Sequence, residues 1–162
     1  MNRRFSIRCF RESDMQDLLK IEHACFKRDA YDRNLFANLH RKCGDLFLVA
    51  ERLRSETKKP CAGHLLGYMV TCTRSAKTSL VAELVSVGVD PEARREGVAS
   101  ALLDSTLRRL RRRGVSRISL AVKVSNRRAL AFYRKYGFRQ LRIVPGYYED
   151  GKDAWLMVRN LP

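Results

Sequence analysis

Val87-Gly88-Val89-Asp90-Pro91-Glu92-Ala93-Arg94-Arg95-Glu96-Gly97-Val98-Ala99-Ser100-Ala101-Leu102-Leu103 decides the reading of this chain. A β-rich run ends at Pro91, a short basic loop follows, and after Gly97 the apolar residues take up helical spacing. A helix entered this way leaves backbone N–H groups without intrahelical partners at its N-terminus. Arg94 and Arg95 stand beside them. Amides, helix dipole and guanidinium groups together suit a pyrophosphate. The loop reads Arg-x-x-Gly-x-Ala. It is neither the P-loop Gly-x-x-x-x-Gly-Lys-Ser/Thr nor the Gly-x-Gly-x-x-Gly of dinucleotide folds. The plainer reading of the same residues is a solvated turn and a helix cap.

Upstream, Phe5-Ser6-Ile7-Arg8-Cys9-Phe10 alternates as a strand does. Ser13 or Asp14 is placed to cap a helix running through Leu18, Leu19, Ile21 and Ala24 to Cys25-Phe26. Asp32 is placed to cap a second, with Leu35, Phe36 and Leu39 on one face. Residues 45–51 read as a buried strand and residues 54–60 as a polar turn. Residues 61–73 read as a long strand that Gly63 and Gly67 predict to be bulged, and residues 79–89 as another strand. Downstream, a helix from about Gly97 to Arg113 is closed by Gly114, and residues 117–122 form a strand. Asn126 opens a helix that ends at Tyr136-Gly137. Residues 138–143 and 154–158 read as an antiparallel pair around Gly146 to Gly151. The order β-α-α-β-β-β-α-β-α-β-β predicts an α/β (α+β) fold, a mixed central sheet of about seven strands with helices on both faces.

With 162 residues, 45% of them hydrophobic, the chain has the length and composition for one domain with a real core, and residues 1–162 are read as that domain. No apolar run approaches the roughly 20 residues that span a bilayer. Met1-Asn2-Arg3-Arg4-Phe5 leads into an alternating segment rather than the apolar region of a signal peptide. A cytoplasmic protein with no membrane partner is expected. Cys9, Cys25, Cys43, Cys61 and Cys72 are odd in number and hold no Cys-x-x-Cys pair, so reduced, mostly buried thiols are expected rather than disulfides or zinc. His23, His40 and His64 form no metal motif, and no metal is expected. The net charge of +16 fits a solvated basic surface first, and otherwise an anionic partner such as phosphate groups, a ribosome or an acidic substrate. Arg108, Arg109, Arg111, Arg112, Arg113 and Arg117 concentrate that charge where cations favour the helix dipole.

Four segments in order resemble the GNAT N-acetyltransferase superfamily, in its RimI-like and N-terminal protein acetyltransferase branch. The Arg-x-x-Gly-x-Ala loop resembles the family's acetyl-CoA loop. Leu120-Ala121-Val122-Lys123-Val124-Ser125-Asn126 resembles its Leu-Glu-Val-Arg-x-Ser-Asn segment. Tyr133-Arg134-Lys135-Tyr136-Gly137-Phe138 matches its Tyr-x-x-x-Gly-Phe helix end. Gly146-Tyr147-Tyr148-Glu149-Asp150-Gly151-Lys152-Asp153-Ala154 is similar to its Tyr-Tyr-x-Asp-Gly-x-Asp-Ala hairpin. The resemblance runs from Phe5 to Leu161 and is strongest between Glu83 and Tyr136.

The resemblance implies transfer of an acetyl group from acetyl-CoA, as co-substrate, to a primary amine. It implies that the strand ending at Val89 parts from the strand ending at Val122, so that pantetheine pairs with the backbone of Val87, Gly88 and Val89. Arg94, Arg95, Glu96, Gly97, Val98, Ala99 and Ser100 then form the pyrophosphate cradle, with Gly97 allowing close backbone approach. Asn126 either caps its helix or also touches the CoA arm. Tyr133 falls where the family places its acid, facing the CoA sulfur; a buried core tyrosine is the other reading. The N–H of Val87 is implied to hold the thioester oxygen. The family's usual glutamate base is replaced by Ala121, which cannot move a proton. Glu83, in the preceding strand, offers a substitute through water, or is an exposed glutamate paired with an arginine. Tyr147 and Tyr148 resemble the hairpin tyrosines that hold a peptide. Phe26 to Tyr31 resembles the loop forming the other acceptor wall, with Lys27, Arg28 and Asp29 as its polar readers.

An α-amine has a reference pKa near 8 and lysine one near 10.4, so a site with a weakened base suits an N-terminal amine. The expected acceptor is a protein or peptide N-terminus, ribosomal-protein-like, and the enzyme a monomer or homodimer. Two rivals stay open: acetylation of a small amine or amino acid, and a non-catalytic acetyl-CoA-binding module docking on RNA.

Overall fold

The computed structural model describes residues 4–53 and 64–162. Met1, Asn2 and Arg3, the turn expected over residues 54–60, and Cys61 and Gly63 lie outside them. The elements are β1 (Phe5–Cys9), α1 (Met15–Phe26), α2 (Arg33–Cys43), β2 (Phe47–Arg52), β3 (Leu65–Ala76), β4 (Ser79–Val89), α3 (Val98–Arg112), β5 (Val115–Lys123), α4 (Arg127–Lys135), β6 (Arg139–Val144) and β7 (Ala154–Asn160). The seven strands form one sheet in the order β1-β2-β3-β4-β5-β7-β6. β4 and β5 run parallel, while β1–β2, β2–β3, β5–β7 and β6–β7 are antiparallel. The element order and the mixed sheet are those the sequence predicts.

Contacts divide the chain into two compact units, Met1–Cys72 with Val85–Arg109, and Thr73–Leu84 with Leu110–Pro162. In the first, Met15, Leu18 and Ile21 repeat at helical spacing and bury one face of α1. They pack with Phe36 and Leu39 of α2 against Phe47, Val49, Tyr68 and Val70 of β2 and β3. α3 covers the opposite face, where Thr106 Oγ1 meets Met69 Sδ at 3.4 Å. The bulge expected in β3 is present. Ala50 pairs with Gly67 but Glu51 with Leu65, so Leu66 is the extra residue.

Asp32 caps α2 as expected, its Oδ1 accepting the Leu35 N–H at 2.8 Å. The cap expected of Ser13 or Asp14 does not form. Residues Glu12–Asp14 make a 3-10 turn, and α1 starts after it without a side-chain cap. The Asp14 carboxylate turns back instead, accepting the Arg11 N–H at 2.8 Å and both terminal nitrogens of Arg8 at 2.7 and 2.9 Å. A bidentate, charge-assisted pair outweighs one neutral cap bond. Arg8 also reaches Glu51 on β2 at 2.8 Å, which pins β1, β2 and the α1 entry together. Burial alone would raise the Asp14 carboxyl, but Arg8 and Arg11 hold it below its ordinary value. A depressed carboxylate stabilises the fold above its unfolded pKa, and that stabilisation is lost as pH falls through the folded value. Arg8→Ala is therefore expected to cost about 2 kcal/mol at neutral pH and less in acid, read by urea unfolding at several pH values.

Cysteine pairing departs from expectation. Cys43, at the end of α2, and Cys72, in β3, form a disulfide with Cα atoms 4.7 Å apart. A link 29 residues long is made by α2 lying across β3, which local sequence does not reveal. Among the described residues Cys9 and Cys25 are free, as predicted. Reduction is expected to cost roughly 3 kcal/mol through the released loop, measured as a lower melting temperature in reductant. Retention of two extra alkylatable thiols without reductant would contradict the pairing.

In the second unit the registered β4–β5 ladder runs from Leu80 to Glu83 against Val115 to Ser119. β5 is then paired along Arg117 to Lys123 with β7. Asn126 Oδ1 caps α4 by accepting the Ala129 N–H at 3.1 Å. The helix closes at Gly137 in the left-handed region, φ +79°.

Candidate active site

In the first unit the end of β4 is held from below. Asp90 N–H donates to the carbonyl of Leu66, the bulge residue, at 2.8 Å. Gly88 lies over the Tyr68 ring so closely that a Cβ would come 2.6 Å from Cε1. The Val89 carbonyl accepts the Cys25 thiol at 3.2 Å, so one backbone group expected to face pantetheine already has a partner. Val87 and Val89 are half-buried and Gly88 is buried.

Asp90 Oδ1 accepts the Glu92 N–H at 3.0 Å and starts a turn at Pro91–Ala93 that buries Ala93. The chain then curls through Arg95 at φ +69° and Gly97 at φ +80° into α3. Ala101 N–H to Gly97 O at 3.0 Å opens the helical ladder, so the amides of Val98 and Ala99 precede it. No acidic residue occupies the first turn of α3. Arg94, Arg95 and Glu96 are exposed, and Glu96 stands 4.0 Å from Arg52. Amides at a helix start with two exposed guanidinium groups fit a diphosphate. At Gly97 a Cβ would meet no protein atom within 4 Å, and the positive φ by itself favours glycine. Close approach within the protein itself is at Gly67, where a Cβ would lie 2.8 Å from Gly88 O and 2.9 Å from Val98 Cγ1.

Phe26, 37% exposed, ends α1, and Lys27–Asp29 form a 3-10 turn before Tyr31. Tyr31 is half-buried and packs on Phe36 at 5.8 Å. Its N–H donates to Glu22 at 2.9 Å. Glu22 is buried at 1% exposure and also accepts the Tyr68 hydroxyl in a short bond. The Tyr68 hydroxyl is 3.0 Å from Ser86 Oγ. Sequence reading missed this network. Its signal was a carboxylate on the buried stripe of Met15, Leu18 and Ile21.

In the second unit Tyr133, Glu83, Tyr147 and Tyr148 gather. Tyr133 is buried at 5% between Phe132 at 5.1 Å and Phe138 at 5.5 Å. Burial, and secondarily Tyr148, push its phenol well above the ordinary value, so it stays protonated. The Tyr147 phenol is also raised, by burial first and then by the nearby Glu83 carboxylate. Tyr147 and Tyr148 meet edge to face at 4.9 Å. Lys123 holds the hairpin, its Nζ 4.8 Å above the Tyr148 ring and 3.2 Å from Asp150 Oδ2. Tyr148 N–H to Lys152 O at 3.1 Å and Gly146 N–H to Asp153 Oδ1 at 2.9 Å fix its shape. The Asn126 side chain is engaged in its helix cap. Ala121 pairs with Leu156, and no ionisable group stands at that position.

The pattern of the acetyltransferase (GNAT) family matches residues 12–138. The chain belongs to that family. The acetyltransferase is 30% identical to an N-alpha-acetyltransferase of Saccharolobus solfataricus, over 98% of this chain and 95% of that protein. The crystal structure of Ard1 from Thermoplasma volcanium is similar, with a TM-score of 0.85 and 30% identity over 98% of this chain and 99% of that one. The ribosomal-protein-S18-alanine N-acetyltransferase from Escherichia coli gives a TM-score of 0.77 and 26% identity, over 97% and 94%. The chain is an acetyl-CoA-dependent N-acetyltransferase of RimI-like type. Among the described residues no group of histidine, cysteine and carboxylate side chains could hold a metal, and no helix is long and apolar enough to cross a membrane.

Proposed function

We propose that the acetyltransferase acetylates the N-terminal α-amine of a protein or peptide. The observation that carries the reading is the grouping of Glu83, Tyr133, Tyr147 and Tyr148, with an N-alpha-acetyltransferase as a relative over nearly the whole chain. Acetyl-CoA supplies an activated thioester carbonyl. The loop of Arg94, Arg95, Glu96, Gly97, Val98, Ala99 and Ser100 grips its diphosphate, and the backbone of Val87, Gly88 and Val89, which lies beyond the registered β4–β5 ladder, holds the arm. Asn126 contributes to the same arm. Phe26, Tyr31, Tyr147 and Tyr148 are the residues assigned to hold the acceptor peptide.

Glu83 removes the amine proton through water, so that the neutral nitrogen attacks the carbonyl carbon. The Val87 N–H steadies the oxyanion as the C–N bond forms. The adduct's nitrogen then gives up its second proton to water, and as the C–S bond breaks Tyr133 donates a hydrogen bond to the leaving sulfur. A thiol's reference pKa near 8.5 lies below a phenol's near 10, so Tyr133 stabilises the thiolate rather than surrendering its proton fully. Glu83→Gln is expected to lower kcat/KM about tenfold or more and to leave a pH profile that follows the amine's own ionisation near 8. An unchanged profile would remove Glu83 as base.

The family match runs through both units, which supports reading residues 1–162 as one domain. The reading places the enzyme in the cytoplasm, where acetyl-CoA and new N-termini occur. The burial of Cys43 and Cys72, 5% and 9% exposed, shields their disulfide from reductants there. A ribosomal-protein N-terminus is the acceptor we favour, in keeping with the charge of +16. Thiol release measured against a peptide panel and free amines tests the activity. CoA binding without turnover, or turnover of free amines alone, would overturn it.

A further inference from the structure

Among the described residues of the first unit Glu22 is the most buried carboxylate, at 1% exposure, on a stripe otherwise filled by Met15, Leu18 and Ile21. Leucine would fill that stripe without the desolvation that a carboxylate pays. Its two oxygens are both used. Oε1 accepts the Tyr31 N–H at 2.9 Å, and Oε2 accepts the Tyr68 hydroxyl. With the Tyr68 proton directed at Glu22, Ser86 must be the donor in the 3.0 Å contact between the two hydroxyls. Hydrogen bonds thus converge on Glu22 from two directions. One starts at Tyr31, in the α1–α2 connection. The other starts at Ser86, next to Val87 on β4. Cys25 to the Val89 carbonyl, at 3.2 Å, ties the end of α1 to the same strand.

We propose that Glu22 is a positioning residue that fixes the α1–α2 connection against the C-terminal part of β4, through Tyr31 on one side and Tyr68–Ser86 on the other, and thereby sets the affinity for the acceptor peptide. This rests on Phe26 and Tyr31 forming an acceptor wall. The connection from Lys27 to Asp29 has a single 3-10 turn of its own, with Lys27 in the left-handed region at φ +49°. Its placement therefore depends on bonds from outside it. Loss of the carboxylate removes the acceptor of the Tyr31 N–H and the Glu22 partner of the Tyr68 hydroxyl. Glutamine restores both bonds, since its oxygen accepts from Tyr31 and its amide donates to the Tyr68 oxygen.

Steady-state kinetics with both substrates varied, on the full chain and alongside thermal melting, tests this. Glu22→Ala is expected to raise the peptide KM about tenfold, with the acetyl-CoA KM held within about twofold. Tyr68→Phe, which keeps the ring, is expected to raise the peptide KM about threefold, and Glu22→Gln to stay near wild type. An unchanged peptide KM in Tyr68→Phe overturns the proposal even if Glu22→Ala fails to fold. So does a parallel rise of both KM values, or glutamine performing no better than alanine. Wild-type protein that turns over free amines and no peptide removes the acceptor reading itself, and this proposal with it, before any variant is compared.

Discussion

Tyr133→Phe is expected to lower kcat by about 10²- to 10³-fold while leaving the KM of acetyl-CoA within about twofold. The change deletes one oxygen and keeps the ring that packs between Phe132 and Phe138, so the helix and its aromatic cluster should persist. Burial keeps the phenol protonated, and a protonated donor in an apolar site favours a thiolate far more than a neutral thioester sulfur. An interaction made as the C–S bond breaks appears in kcat rather than in ground-state binding. Melting within a few degrees of wild type, together with the kinetic loss, separates this role from a purely structural one. Full turnover in the variant would return Tyr133 to the core and leave the sulfur without a side-chain donor.

Gly67→Ala is expected to destabilise the protein by about 3 kcal/mol, a fall in melting temperature of roughly 6–12 °C for a chain of this size. The new methyl would meet the Gly88 carbonyl oxygen at 2.8 Å and Val98 Cγ1 at 2.9 Å. The first belongs to backbone held in a sheet, and the second to the opening residue of α3. Neither can swing aside as a long side chain would. Relief requires β4 or the start of α3 to shift, and the loop proposed to grip the diphosphate moves with them. CoA affinity should therefore fall about tenfold as stability falls, measured by calorimetry on the folded protein. Gly97→Ala provides the contrast. Its Cβ would meet nothing within 4 Å, so only the left-handed conformation resists it, at about 1 kcal/mol. Equal losses at the two positions would show that crowding at Gly67 is not what matters.

Features governed by neighbours in sequence were legible before the fold was. Asp32 and Asn126 cap their helices, β4 spans residues 79–89, and β3 bulges beside Gly67. The turn and helix start around residues 94–100 are equally local. What failed to show depends on partners far along the chain. Asp14 abandons its helix because Arg8 and Glu51 lie across two strands. Cys43 finds Cys72 only once α2 lies on β3. The need for glycine at 97, by contrast, was legible, since its positive φ belongs to the local turn into α3. Glu22 was visible in principle as a charge out of place on an apolar stripe. Its meaning required Tyr31, Tyr68 and Ser86 to be seen around it.

β7 follows β6 in the chain yet lies between it and β5. A ribosome extrudes residues 139–144 before the strand that links them to the sheet exists. Until Ala154 to Asn160 emerge, β6 has no partner for either edge, and its Leu141 and Ile143, 47% and 42% exposed even in the finished fold, stand in water. Vectorial synthesis therefore delivers the rim before its support. The hairpin bearing Tyr147 and Tyr148 can take its shape only in the closing moments of translation of this region.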